Sequence, residues 1–311
     1  MLSEQEKRSF IESTMRPMAD ETMRYLTQIV GVLDERTGEY LGTGFFCTIS
    51  GRQAIVTASH VLREMANDRR FLGPAILRGN GTPPAIVPGK IIFSIPHDLA
   101  IYFPSEEFVL HEDKAFLPDE RIDRDPGVLT RDALFVHGFP ARFTRFTTLV
   151  DNAMYSESLA YTAMMRYQEK DIPSDERSGF DRDLPGYNFL PADSLEPHQF
   201  AINFWAQPDS CLSNQGDPSP VEQRKFDNWS QVFLSGQALP GQRPQGAHGL
   251  SGSPVWRIGA TGRPIKEWTP ACARLVGVVT HWNEQERILI ATRTSSLLEL
   301  ASTELTGPIE V

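Results

Sequence analysis

Residues Gly249–Trp256 read GLSGSPVW, a serine held between two glycines ahead of an apolar run. With glycine this close on both sides, Ser251 can sit on a tight turn where its own N–H and that of Gly249 point into one small space. Paired donors of that kind suit the oxyanion that forms when a hydroxyl attacks a carbonyl. Glycine and serine also make ordinary turns, so the stretch alone leaves both readings open. A histidine and an acid upstream, in suitable surroundings, decide between them.

The surroundings are those of short strands. From about residue 25 the chain runs in brief apolar segments set off by Gly, Pro, Asn and Asp: TQIVGVL, YLGTGFFCTI, QAIVTASHVL, AILRG, AIVPGKIIFSI and DLAIYF. Six such runs at hairpin spacing predict an antiparallel sheet or barrel, interrupted by one helical patch over 61–70. The polar, turn-rich DERIDRDPG (119–127) reads as a linker. Beyond it DALFVHGFP, TTLVDNAMYSESLAYTAMM, QFAINFWA, GLSGSPVW, ARLVGVVTHW and RILIATRT are again strand-like, and SSLLELAST (295–303) predicts a closing helix. At the other end Ser3 and Glu6 form a capping box, predicting a helix over 3–16 that Pro17 interrupts. The expected organisation is all-β, with a helical arm (1–24), a first unit (25–120) and a second unit (121–311). The second unit carries loop insertions at 171–197, with seven acids, two bases and four prolines, and at 208–245, rich in Pro, Gly, Ser and Gln.

Two of those runs carry the missing chemistry. VTASHVL (56–62) places His60 at a strand end, and IPHDLAIYF (95–103) places Asp98 just before a strand. Singly they are a structural histidine and a turn residue. With Ser251 they supply a nucleophile, a base that titrates near neutrality and an acid to orient it.

At these residues the sequence resembles the trypsin-like serine peptidases of the chymotrypsin fold. TAxH at Thr57–His60, DLA at Asp98–Ala100 and GxSGxP at Gly249–Pro254 come in the family's order, and GTGFF (42–46) matches its GxGF hairpin before the histidine strand. The resemblance is closest to the bacterial, HtrA-like branches. It implies two six-stranded antiparallel barrels with the site between them, and a triad of His60, Asp98 and Ser251. It further implies an oxyanion hole from the Gly249 and Ser251 N–H groups, and Thr280 as a hydroxyl beside the triad acid.

Departures from the family pattern are informative. Val61 and Leu250 stand where digestive members carry a cysteine and an acid. The first loses a disulfide, and the second loses the carboxylate that pairs with a freshly cut N-terminus. Activation by N-terminal processing is therefore not expected, and an activating partner that orders the Ser251 loop is the alternative. Gln245, six residues before the serine, is not the acid that would select Arg or Lys. His281 and Trp282 resemble the HW pair of the bacterial glutamyl endopeptidases, at a different spacing from the preceding glycine. These three are the candidate substrate-pocket residues.

Composition bounds the rest. The 311 residues are 40% hydrophobic and carry 40 acids against 30 bases, a formal net charge of −10, with no basic run. Nucleic-acid binding is not expected. Cys47, Cys211 and Cys272 are widely spaced with no metal or redox motif, His97, His137 and His248 join no metal-binding spacing, and no cofactor is implied. No apolar leader or 18-residue apolar window is present, which predicts neither export nor a membrane span and makes the cytoplasm the expected compartment. The expectation is a serine endopeptidase acting on a protein or peptide. An inactive peptide-binding module of the same fold, or an esterase or acyl transferase using the same triad, is the alternative.

Overall fold

The computed structural model describes residues 4–33, 38–67, 73–76, 85–86, 88–105, 108–127, 133–141, 144–146, 154–156, 158–166, 190, 194–204, 247–259, 265–283 and 288–305. Its first sheet is built on the GTGFF run, which lies in β2 (Gly38–Ile49), between β1 (Leu26–Val32) and β3 (Arg52–Ala58). β4 (Gly73–Ile76) and β5 (Ala85–Ile86) extend it on one side, and β6 (Gly89–Ser94) and β7 (Leu99–Pro104) on the other. All pairs are antiparallel, in the order β5-β4-β1-β2-β3-β7-β6. The expected six-stranded barrel is here an open sheet of seven strands. The run AIVPGKIIFSI, read as one strand, makes two, because Pro88 has no N–H to offer a ladder and separates β5 from β6.

The second sheet closes on itself. β8 (Ala133–Gly138), β11 (Leu159–Arg166), β12 (Gln199–Asn203), β15 (Ile288–Arg293), β14 (Arg274–Asn283) and β13 (Pro254–Arg257) each pair with the next, and β13 pairs back to β8. β9 (Thr144–Phe146) and β10 (Met154–Ser156) form a separate hairpin. Leu134, Val136, Phe200, Leu250, Val255, Val279 and Leu289 fill the barrel interior.

Period-two alternation assigns the two faces of each strand. In β2, Phe45 and Cys47 face a core shared with Phe135, Trp256 and Leu275 of the barrel, while Phe46 joins Ile55 and Tyr102 on the other face. That shared core, built from large, fully buried side chains, fixes the sheets against each other. Two helices seal it. α1 (Glu4–Met23) contributes Met15 and Met18, and α3 (Thr294–Leu305) contributes Leu297 and Leu300. α1 runs seven residues past its expected end and contains Pro17. A helix-interior proline costs about 3 kcal/mol, and burial of the two methionines with Thr14 and Thr22 on the Pro17 turns outweighs it. Ser3, Gln245, the whole of 208–245 and most of 171–197 lie outside the described residues. No helix among the described residues is long and apolar enough to cross a membrane.

Candidate active site

β3 ends at Ala58, and the chain turns at once into α2 (Ser59–Asn67), which puts His60 in the first turn of a helix. The free amides of that turn need acceptors, and Asp98 supplies them. Its Oδ1 accepts from the His60 N–H (3.0 Å) and from the Ser59 hydroxyl (2.7 Å), and its backbone carbonyl accepts from the Ser59 N–H (3.0 Å). That leaves Oδ2 for His60 Nδ1, at 2.7 Å. Asp98 does this from the left-handed region, at φ +50°, a conformation that aspartate tolerates better than most residues. Burial pulls its carboxyl pKa upward. The hydrogen bonds from His60 and Ser59 and the charge of the imidazolium outweigh that and hold it below the ordinary carboxylate value. An ionised acid on Nδ1 fixes the histidine tautomer that leaves Nε2 as the base. The His60 side chain is 33% exposed, so a substrate can reach it.

Ser251 sits on the turn before β13, half-buried. The loop around it spends its backbone groups in a telling way. Among the five amides from Gly249 to Ser253, Leu250 donates to Ala247 O (3.0 Å), Gly252 to Val279 O (2.7 Å) and Ser253 to Leu250 O (2.9 Å). Among the described residues, the N–H groups of Gly249 and Ser251 have no acceptor. The His248 carbonyl accepts from Ala141 N–H (2.7 Å), and the trans peptide then turns the Gly249 N–H the opposite way. Gly249 has φ +90°, and a Cβ there would lie 2.4 Å from the Ala141 nitrogen. Gly252 has φ +88°, and its Cβ would lie 1.9 Å from the Thr43 carbonyl. Both glycines are therefore required by backbone conformation and by space.

GTGFF joins the two halves. Thr43 N–H donates to the Ser251 carbonyl at 3.0 Å. A Cβ on Gly42 would lie 2.9 Å from a Val61 methyl and 3.1 Å from the same Ser251 carbonyl, so the residue after His60 and the serine backbone approach Gly42 together. Among the described residues, no hydrogen bond joins the Ser251 hydroxyl to His60. Such contacts commonly tighten only when substrate is bound.

The remaining candidates divide. A bulge in β14 at Thr280 brings His281 to the surface with its ring 6.3 Å from that of His60. Trp282 packs instead on Phe204 (4.8 Å) against the barrel core. The Thr280 hydroxyl donates to Ile290 O (3.3 Å), whereas the hydroxyl on Asp98 belongs to Ser59. A small hydroxyl residue opening a helix was the available signal for Ser59. His97 packs edge-on against His198 (4.5 Å), and no group of three or more metal-ligating side chains occurs among the described residues. The Cys47 thiol is buried. No protein-family model and no curated protein matches the sequence.

Proposed function

We propose that the chain is a serine endopeptidase of the trypsin-like, chymotrypsin-fold type, with His60, Asp98 and Ser251 as its triad. The observation that carries the reading is the backbone around Ser251: among the described residues, the two of the five amides from Gly249 to Ser253 that have no acceptor are the two an oxyanion would need. The His60–Asp98 pair at 2.7 Å supports it independently.

In this reading Ser251 Oγ attacks the scissile carbonyl while His60 Nε2 takes its proton. The negative oxygen of the tetrahedral adduct receives the Gly249 and Ser251 N–H groups, preorganised by the bonds that hold their neighbours. As the adduct collapses, the C–N bond breaks, His60 returns the proton to the leaving amine, and an acyl-enzyme on Ser251 remains. Water, deprotonated by His60, then releases the acid. Asp98 stays ionised throughout and stabilises the imidazolium. His281, exposed beside His60, is placed to touch the peptide next to the scissile bond. The buried thiol at Cys47 suits a reducing compartment, and the cytoplasm is the location we assign.

Incubation with a proteome-derived peptide library tests the assignment. Cleavage that disappears in Ser251→Ala, with one preferred residue at the cut, is expected. Turnover of acyl esters without any peptide cleavage would move the protein to the esterases.

A further inference from the structure

Resting on that reading, we infer that the hydroxyls of Tyr40 and Thr43 latch the Ser251 loop with its two N–H donors presented, so that the unprocessed chain holds a formed oxyanion site without an N-terminal ammonium or an activating partner. Leu250, the residue before the serine, is fully buried in the barrel core and offers no carboxylate for such an ammonium to pair with. Glycine at 249 lets the adjoining peptides rotate with little steric resistance, so the conformation has to be imposed from outside the loop.

Both outside contacts come from β2. The Gly249 carbonyl accepts from Thr43 Oγ1 at 2.8 Å and lies 2.8 Å from the Tyr40 hydroxyl. The Phe139 carbonyl is also bound by the Tyr40 hydroxyl, which shares its one proton between the two oxygens. The Thr43 oxygen in turn accepts from the Phe139 N–H at 2.8 Å, and this leaves its proton for Gly249. Burial pushes the Tyr40 phenol pKa well up, so it remains a donor in neutral and alkaline solution. Flipping the His248–Gly249 peptide to withdraw the Gly249 N–H would break the bond of His248 O to Ala141 N–H, and the Tyr40 and Thr43 hydroxyls fix the adjoining Gly249–Leu250 peptide between the two donor-bearing ones. The two hydroxyls belong to the first sheet, and the carbonyls they hold lie just after β8 and on the turn before β13 of the second. Docking of the sheets therefore sets the donors.

Tyr40 and Thr43 are positioning residues, and the test removes their hydroxyls without removing their bulk. Tyr40→Phe, Thr43→Val, Thr43→Ser and the double Tyr40→Phe/Thr43→Val are compared with the full wild-type chain by the saturating rate at which a fluorophosphonate labels Ser251. Thermal melts confirm folding. Tyr40→Phe and Thr43→Val are expected to slow labelling about tenfold each, the loss of one hydrogen bond on the Gly249 carbonyl. The double variant should approach the ~10²–10³-fold loss of an oxyanion donor. The half-saturating reagent concentration should stay unchanged, Thr43→Ser should label like wild type, and an N-terminal extension that hides the α-amino group should leave the rate unaltered. The single variants carry the comparison should the double not fold. Folded single variants that label as fast as a labelled wild type would overturn the latch and leave the triad standing. A folded wild type that does not label would overturn both.

Discussion

Asp98 serves two structural ends with one carboxylate, capping α2 through the Ser59 and His60 groups and orienting the imidazole through the other oxygen. Asn shares the tolerance of aspartate for positive φ, so Asp98→Asn tests the charge while keeping the turn. Peptide cleavage by Asp98→Asn is expected to fall by about 10⁴ at neutral pH, because the amide no longer selects the tautomer with a basic Nε2. The depressed pKa of Asp98 also has a sign for stability. Its contribution is present in full above the unfolded carboxylate pKa of about 4 and is lost as pH falls from there through the folded value. Melting temperatures of the wild type and Asp98→Asn should therefore converge in that acid window. The candidates His60, Asp98 and Ser251 were legible in the sequence because a nucleophile, a base and an acid each need a particular residue type in a particular local context, and of these the structure pairs His60 with Asp98. The roles of Tyr40 and Thr43 were not, since a hydroxyl acting on a carbonyl far along the chain leaves no local pattern, and Ser59 showed only as a hydroxyl residue opening a helix.

Helix α1 shows the same limit one level up. A helix in this region was legible from local chemistry, but its continuation through Pro17 is decided by the core that Met15 and Met18 enter. A buried pair also ties it to β8. The Thr22 hydroxyl donates to Met18 O, so it accepts from His137 Nδ1–H at 2.7 Å, and buried His137 Nε2 has no partner among the described residues. A second proton on that ring would be unpaired. Burial, and secondarily the charge of Lys114, lowers the His137 pKa to about 3. The unfolded ring binds a proton near pH 6.5, so stability from this site is present above that value and is lost as pH falls from 6.5 toward 3. Denaturant titrations of the wild type and His137→Gln at pH 7 and pH 5 should show the wild type losing about 2 kcal/mol more on acidification. Equal losses would show that His137 is protonated at no cost. The strand count in the first sheet failed for a comparable reason, since hydrophobic runs show where strands lie and only the ladder shows that Pro88 divides one.

For the whole molecule, the central feature is that two antiparallel sheets meet where GTGFF, TASH and GLSGSP come together. Thr57 donates to the Thr43 carbonyl at 2.7 Å, the same carbonyl that excludes any side chain from Gly252. The motifs were legible one at a time, and so was their order. Their meeting depends on a shared core in which Phe45 lies 90 or more residues from Phe135, Trp256 and Leu275, and on an open first sheet that the family resemblance implied as a closed barrel. The claim that this junction is a hydrolytic site is tested most directly by treating the full chain with a fluorophosphonate and mapping the adduct by mass spectrometry. We predict one adduct, on Ser251, absent in Ser251→Ala and formed at least ~10²-fold more slowly in His60→Ala, the contribution of a general base. A folded wild-type chain that takes up no reagent, or an adduct that persists in Ser251→Ala, would contradict the account.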